Sequence, residues 1–187
     1  MQKNYSTSLV FTASCVGLAF FGVAMLSLGP ILGPLQEMIE GAYALPSTMS
    51  IGIILGTILF GPVVDKFGYK WLLVISSVLA LAGLQGLANF KELSYLHISI
   101  FLLGFGGGIL NGETNAVVAE IYDDDKRGSR LGLLGACYCV GALIWTLLNY
   151  FIDDYTIPLN ITSAVMAGCI IFFCCIQFPL AKPSENV

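Results

Sequence analysis

Apolar residues in this chain come in long unbroken runs separated by short polar turns, not in alternation. Six runs can be placed, near 8–29, 47–64, 71–89, 96–121, 131–151 and 157–180. Their lengths match a hydrocarbon layer of ~30 Å at a helical rise of ~1.5 Å per residue. Each therefore predicts a membrane-spanning α-helix. Spanning β-strands would need alternating polarity over about ten residues, and these runs are too long and too uniform. The predicted fold class is an all-α membrane protein: one six-helix transmembrane bundle over 1–180, followed by a polar tail at 181–187.

Composition supports this reading. Of 187 residues only 11% are charged, and the mean hydropathy is +0.85. A water-soluble domain could not hide so much apolar surface. The first run is longer than the ~7–15 apolar residues of a signal peptide, so a cleaved leader is not expected. The charges are distributed unevenly. Under an alternating topology Lys3, Lys66, Lys70, Lys126, Arg127, Arg130 and Lys182 share one side, and Lys91 alone falls on the other. The positive-inside rule then predicts an inner-membrane protein with both termini in the cytoplasm. Cys15, Cys137, Cys139, Cys169, Cys174 and Cys175 all lie within predicted spans. There they read as small apolar packing residues, not as a metal or disulfide framework.

The most organised polar segment is Gly61-Pro62-Val63-Val64-Asp65-Lys66-Phe67-Gly68-Tyr69-Lys70. Long apolar runs on both sides make it a hairpin at a membrane surface. Gly68 supplies the left-handed backbone such a turn needs. Gly61, Asp65, Lys66, Gly68 and Lys70 fit the pattern Gly-x-x-x-Asp-(Arg/Lys)-x-Gly-x-(Arg/Lys). This segment resembles the loop between helices 2 and 3 of the major facilitator superfamily of transporters. Tyr69 departs from the pattern, which usually has a base there. Glu120 together with Arg127-Gly128 resembles the helix 4–5 junction of the same superfamily.

The fourth run carries the most chemistry. Gly104, Gly108 and Gly112 repeat every four residues and make a flat face, and small residues at this spacing allow close helix approach in lipid. Gly52 and Gly56 do the same in the second run. At ~100° per residue, Asn111 and Asn115 adjoin the flat face and Glu113 lies on another side. Glu113 is about 12 Å from the nearest turn at ~1.5 Å per residue. An acid at that depth costs about 2.5 kcal/mol or more. It should face a water-filled cavity or a partner and be partly protonated. Two roles follow: a proton- or substrate-binding carboxyl, or an acid hydrogen-bonded to a neighbouring helix for structure. Asn111-Gly112-Glu113-Thr114-Asn115 resembles the glycine-rich fourth helix of the sugar-transporting fucose:proton symporter branch. The acid which that branch carries in its first helix has no counterpart here.

The resemblance implies half of a two-bundle architecture, built from two three-helix repeats of inverted topology. The expected activity is secondary transport of a sugar or similar small polar solute, with or without coupling to protons, with the chain as the N-terminal half of the transporter. Glu113 would be the proton or hydroxyl-binding group, with Asn111, Asn115 and Tyr138 as further solute contacts. Gly61, Asp65, Lys66, Gly68 and Lys70 would gate the cytoplasmic side. The implied partners are the lipid bilayer, the solute, protons, and either a C-terminal half or a second copy of the chain. The alternative is a non-transporting membrane remnant or scaffold from a truncated or split transporter gene. No Ser/His/Asp set, metal cluster or phosphate loop supports an enzyme, and no cofactor, metal or nucleic-acid partner is expected.

Overall fold

A computed structural model describes residues 5–180. Lys3, Lys182 and the predicted tail at 181–187 lie outside the described residues. Six helices follow in order: α1 Thr7–Leu26, α2 Leu28–Met38, α3 Leu45–Asn89, α4 Leu93–Ile121, α5 Asp124–Phe151 and α6 Thr156–Cys175. A 3-10 turn at Ala42–Ala44 precedes α3. Among the described residues, five segments are long and apolar enough to cross a membrane, with α1 and α2 counted together.

The helical stretch of the first predicted run does not stop at 29 but passes Gly29-Pro30 and Gly33-Pro34. The chain re-enters helix at Leu28 and continues through Pro34 to Met38. Pro30 falls in the first turn of α2, where a missing N–H costs least. It still cannot donate to the carbonyl four residues back, that of Leu26. The fully buried Trp145 takes over, its indole N–H donating to that carbonyl at 3.0 Å. The carbonyl left free at the junction of α1 and α2 is thus satisfied by a side chain of α5.

Predicted spans 47–64 and 71–89 fall within one helical assignment, α3, 45 residues long. A straight helix of that length would reach ~68 Å at ~1.5 Å per residue, more than twice the hydrocarbon thickness. It folds back at Gly68, whose φ of 75° and ψ of 164° are not helical. The two limbs run in opposite directions along α4. In the first limb Gly52 lies beside Phe101 and Phe105, and further along both helices Phe60 lies beside Gly112. In the second, Gly83 lies beside Ser99 and Leu103, Ala80 beside Gly106, and Tyr69 beside Glu120.

Two other boundaries differ from expectation. The basic turn before the fifth span is already helical from Asp124. Asp123 accepts from the N–H groups of Lys126 and Arg127 through its backbone carbonyl, both at 2.9 Å. Asp124 and Asp125 then place negative charge in the first turn, where the helix dipole favours it. α6 ends at Cys175 and not near 180, because Pro179 cannot extend a helix and disfavours helical geometry at Phe178.

Glycine sets how closely the helices approach. A Cβ on Gly104, Gly108 or Gly112 would run into Met49, Ile53 or Phe60 of the first limb of α3. The flat face expected on α4 is therefore the surface that receives this limb. α1 meets α5 in the same way, Gly22 against the Tyr138 carbonyl and Gly141 against Ala19. The outward faces of the first limb of α3 (Ile51, Ile54, Ile58) and of α5 (Leu143, Ile144, Leu147) remain exposed and apolar.

Candidate functional site

The site is built on α4, which lies between both limbs of α3 and α1. Gly106 sits against Ser76 and Ala80 of the second limb. Glu113 is seven residues further on, two turns along the same side, and Glu120 seven beyond that. Glu120 ends the row with a 2.9 Å hydrogen bond from the Tyr69 hydroxyl. Glu113 is 0% exposed, and neither of its carboxylate oxygens has a hydrogen-bond partner. Of the two expected settings, a water-filled cavity or a partner helix, the structure gives the interior face toward the second limb of α3. The hydrogen bond of a purely structural acid is missing.

Asn111 and Asn115 occupy a different side, as the helical spacing predicts. They continue the stripe of Gly107, where a Cβ would lie 3.1 Å from the Phe21 ring of α1, and both are half-buried. Asn115 Nδ2 donates to the Asn111 carbonyl at 2.8 Å and to Asn111 Oδ1 at 3.2 Å. Tyr138 of α5 is half-buried with its ring 5.6 Å from that of Phe21. Phe21 thus stands between Tyr138 and the Gly107 stripe. The predicted site residues therefore form two groups: Glu113 alone on the face toward α3, and Asn111, Asn115 and Tyr138 toward α1 and α5.

The hairpin 61–70 lies at the end of the bundle that also holds the α4–α5 turn. Asp65 and Lys66 are exposed, and the Lys66 ammonium lies 5.5 Å from the Phe67 ring centre. Nothing lies within 4 Å of where a Cβ on Gly61 or Gly68 would be. Lys70 lines a cavity of about 460 Å³ with Phe67, Trp71, Phe178 and Leu180. Across the turn Arg127 donates through Nε to the Ala119 carbonyl at 2.8 Å and pairs with Asp124 at 2.6 Å. The Arg130 guanidinium lies over the rings of Phe11 and Tyr122, at 5.4 and 5.2 Å. Lys66, Lys70, Lys126, Arg127 and Arg130 thus gather at one end, and Lys91 is at the other.

Sequence reasoning missed the Tyr69–Glu120 bond. Tyr69 is only 6% exposed. Its departure from the hairpin pattern was the available signal. The Nδ1 of His97 lies 2.7 Å from the Thr48 hydroxyl and ties α4 to the start of α3.

The sequence profile of the Major Facilitator Superfamily matches residues 7–186. The chain belongs to this superfamily. It is a multi-pass membrane protein of a transporter family. A D-xylose transporter of Levilactobacillus brevis is 30% identical over 159 residues, which are 82% of this chain and 35% of the relative. Among solved structures, the proton:xylose symporter XylE bound to 6-bromo-6-deoxy-D-glucose superposes with a TM-score of 0.82 at 16% identity. The match covers 91% of this chain and 45% of that one. The POT family transporter PepTSo superposes with a TM-score of 0.75 at 16% identity, covering 96% of this chain and 39% of that one. At these identities the likeness shows the fold alone. The chain spans about a third of the length of the curated superfamily relatives it matches.

Proposed function

We propose that the chain forms the N-terminal six-crossing bundle of a secondary active transporter for a sugar or similar small polar solute, coupled to protons. The six crossings are α1 with α2, the two limbs of α3, α4, α5 and α6, arranged as two inverted three-helix repeats. The basic end of the bundle faces the cytoplasm by the positive-inside rule, so both termini are cytoplasmic in the inner membrane. The 30% identity to a D-xylose transporter supports the solute class.

One observation carries the coupling: Glu113 is fully buried in the bundle with both oxygens unpartnered. An ionised carboxylate without partners is too costly for an apolar interior. Such a group needs a proton, a water or a polar solute to complete it, and a conformational change that alters its access would couple that exchange to transport. Asn111, Asn115 and Tyr138 are the solute contacts of this reading. Gly61, Asp65, Lys66, Gly68 and Lys70 act as the cytoplasmic gate against a second bundle, either a C-terminal half or another copy.

Uptake of labelled xylose into vesicles tests this, with the chain alone and co-expressed with a C-terminal half. The expected result is uptake in the paired preparation that responds to an imposed pH gradient and is lost in Glu113→Gln at unchanged expression. Gradient-driven uptake that survives Glu113→Gln would overturn the coupling role.

A further inference from the structure

The hairpin at the basic end and the chain that follows α6 border a cavity of about 460 Å³. One wall is the turn at Gly68 with Phe67, Lys70 and Trp71. The other is Gln177, Phe178 and Leu180, beyond the last residue of α6. Lys70 is half-buried there, and Trp71 and Gln177 are exposed.

The free polar side chains of this cavity are donors. The Lys70 ammonium has three N–H donors and no acceptor, the Trp71 indole has one donor, and the Gln177 amide has two beside its oxygen. Among the described residues none of these three side chains has a hydrogen-bond or ion-pair partner. The Tyr69 hydroxyl is already committed to Glu120. No carboxylate lines the cavity, since Asp65 stands in the same hairpin but not in this wall. The rest of the wall, with Phe67, Phe178 and Leu180, is apolar.

We propose that this cavity binds the headgroup of an anionic phospholipid. Lys70, Trp71 and Gln177 donate to its phosphate, and the apolar wall takes the glycerol and the first part of an acyl chain. Three features select a lipid over a soluble anion. Trp71 opens the apolar run 71–89, at the depth where Trp rings sit among headgroups. The aromatic and aliphatic wall would be left uncovered by phosphate alone. Lys66, Lys70, Lys126, Arg127 and Arg130 gather at this end, which draws it to an anionic leaflet, and basic pockets between transmembrane helices on the cytoplasmic side suit anionic headgroups. The choice of leaflet rests on the orientation proposed above; solute and coupling ion do not enter. A lipid seated here bridges the turn at Gly68 and the end of α6, bracing the hairpin on its α6 side.

The test supplies lipid from detergent solution, so its result is separate from both transport and orientation. The full chain, delipidated in a neutral detergent, is titrated with phosphatidylglycerol or phosphatidylcholine, and retained lipid is read by native mass spectrometry. The expected result is one phosphatidylglycerol held at concentrations where phosphatidylcholine is not, with retention falling as salt is added. Lys70→Gln should weaken it about fivefold, equivalent to the ~1 kcal/mol that a lysine near an anionic surface contributes. Gln177→Ala, outside the helices, should weaken it in the same direction. Lys126→Gln, exposed at the same end, should leave it unchanged. Equal retention of the two lipids overturns the proposal, and wild-type protein suffices for that outcome. So do equal losses in Lys70→Gln and Lys126→Gln, which would mean general attraction to the basic end. Displacement of the lipid by an equal concentration of glycerol 3-phosphate would mean an anion site without a lipid, and overturns it too.

Discussion

Replacing Glu113 with leucine should make the bundle more stable while ending its proposed proton-driven function. Glu113 is 0% exposed and its two oxygens have no partner. A buried polar group left unsatisfied costs about 1–3 kcal/mol. An apolar side chain of similar length removes that penalty and adds dispersion contacts with the second limb of α3. For a chain of this size each kcal/mol moves the unfolding midpoint by about 2–4 °C. The expected rise is therefore on the order of 2–12 °C. Glu113→Gln keeps two polar atoms in the same place and should shift the midpoint much less. Thermal unfolding in detergent measures this, followed with a thiol-reactive fluorophore that reports Cys15, Cys137 and Cys169 as they become exposed. A fall in midpoint for Glu113→Leu would refute the reasoning, since it would mean that the carboxyl makes bonds the fold depends on.

Three further outcomes follow from the same structure. A Cβ on Gly52 would lie 2.6 Å from the Phe101 carbonyl oxygen and 2.9 Å from the Phe105 nitrogen, so Gly52→Ala should destabilise by about 1–3 kcal/mol. Gly132→Ala, with nothing within 4 Å, should gain up to about 1 kcal/mol of helix propensity; equal midpoints for the two variants would contradict this. Tyr69→Phe removes the bond to the half-exposed Glu120 carboxylate and should cost about 1–2 kcal/mol, read as faster amide exchange in the last turn of α4. Asp154 accepts from the Thr156 N–H and hydroxyl at 2.9 and 2.7 Å, which holds its carboxyl below the ordinary 3.8. A depressed carboxyl contributes stability that is full above the ordinary value and lost as pH falls through the folded one. Protection of the first turn of α6 should thus stay constant from pH 7 to pH 5 and fall only below about 4. Loss of protection nearer neutrality would place the capping bond elsewhere.

The sequence by itself determined the membrane class, the approximate positions of the apolar segments, the turn at Gly68 and the family resemblance. Each of these depends on local quantities: the length of an apolar run, the position of a glycine, the spacing of small residues. The split of α4 into a Glu113 side and an Asn111–Asn115 side also followed from helical spacing alone. Tertiary structure decided which neighbour each face meets. A helical wheel could place Glu113 on a face, but only the packing of the second α3 limb showed that face to be closed to solvent. Pro30 left the Leu26 carbonyl without a donor, and the donor that completes it, Trp145, lies more than a hundred residues away. Tyr69 and Glu120 are likewise distant in the chain and adjacent in space. Such pairs arise from the way glycine lets particular backbones touch, and no pattern within a single helix encodes which helix will be on the other side.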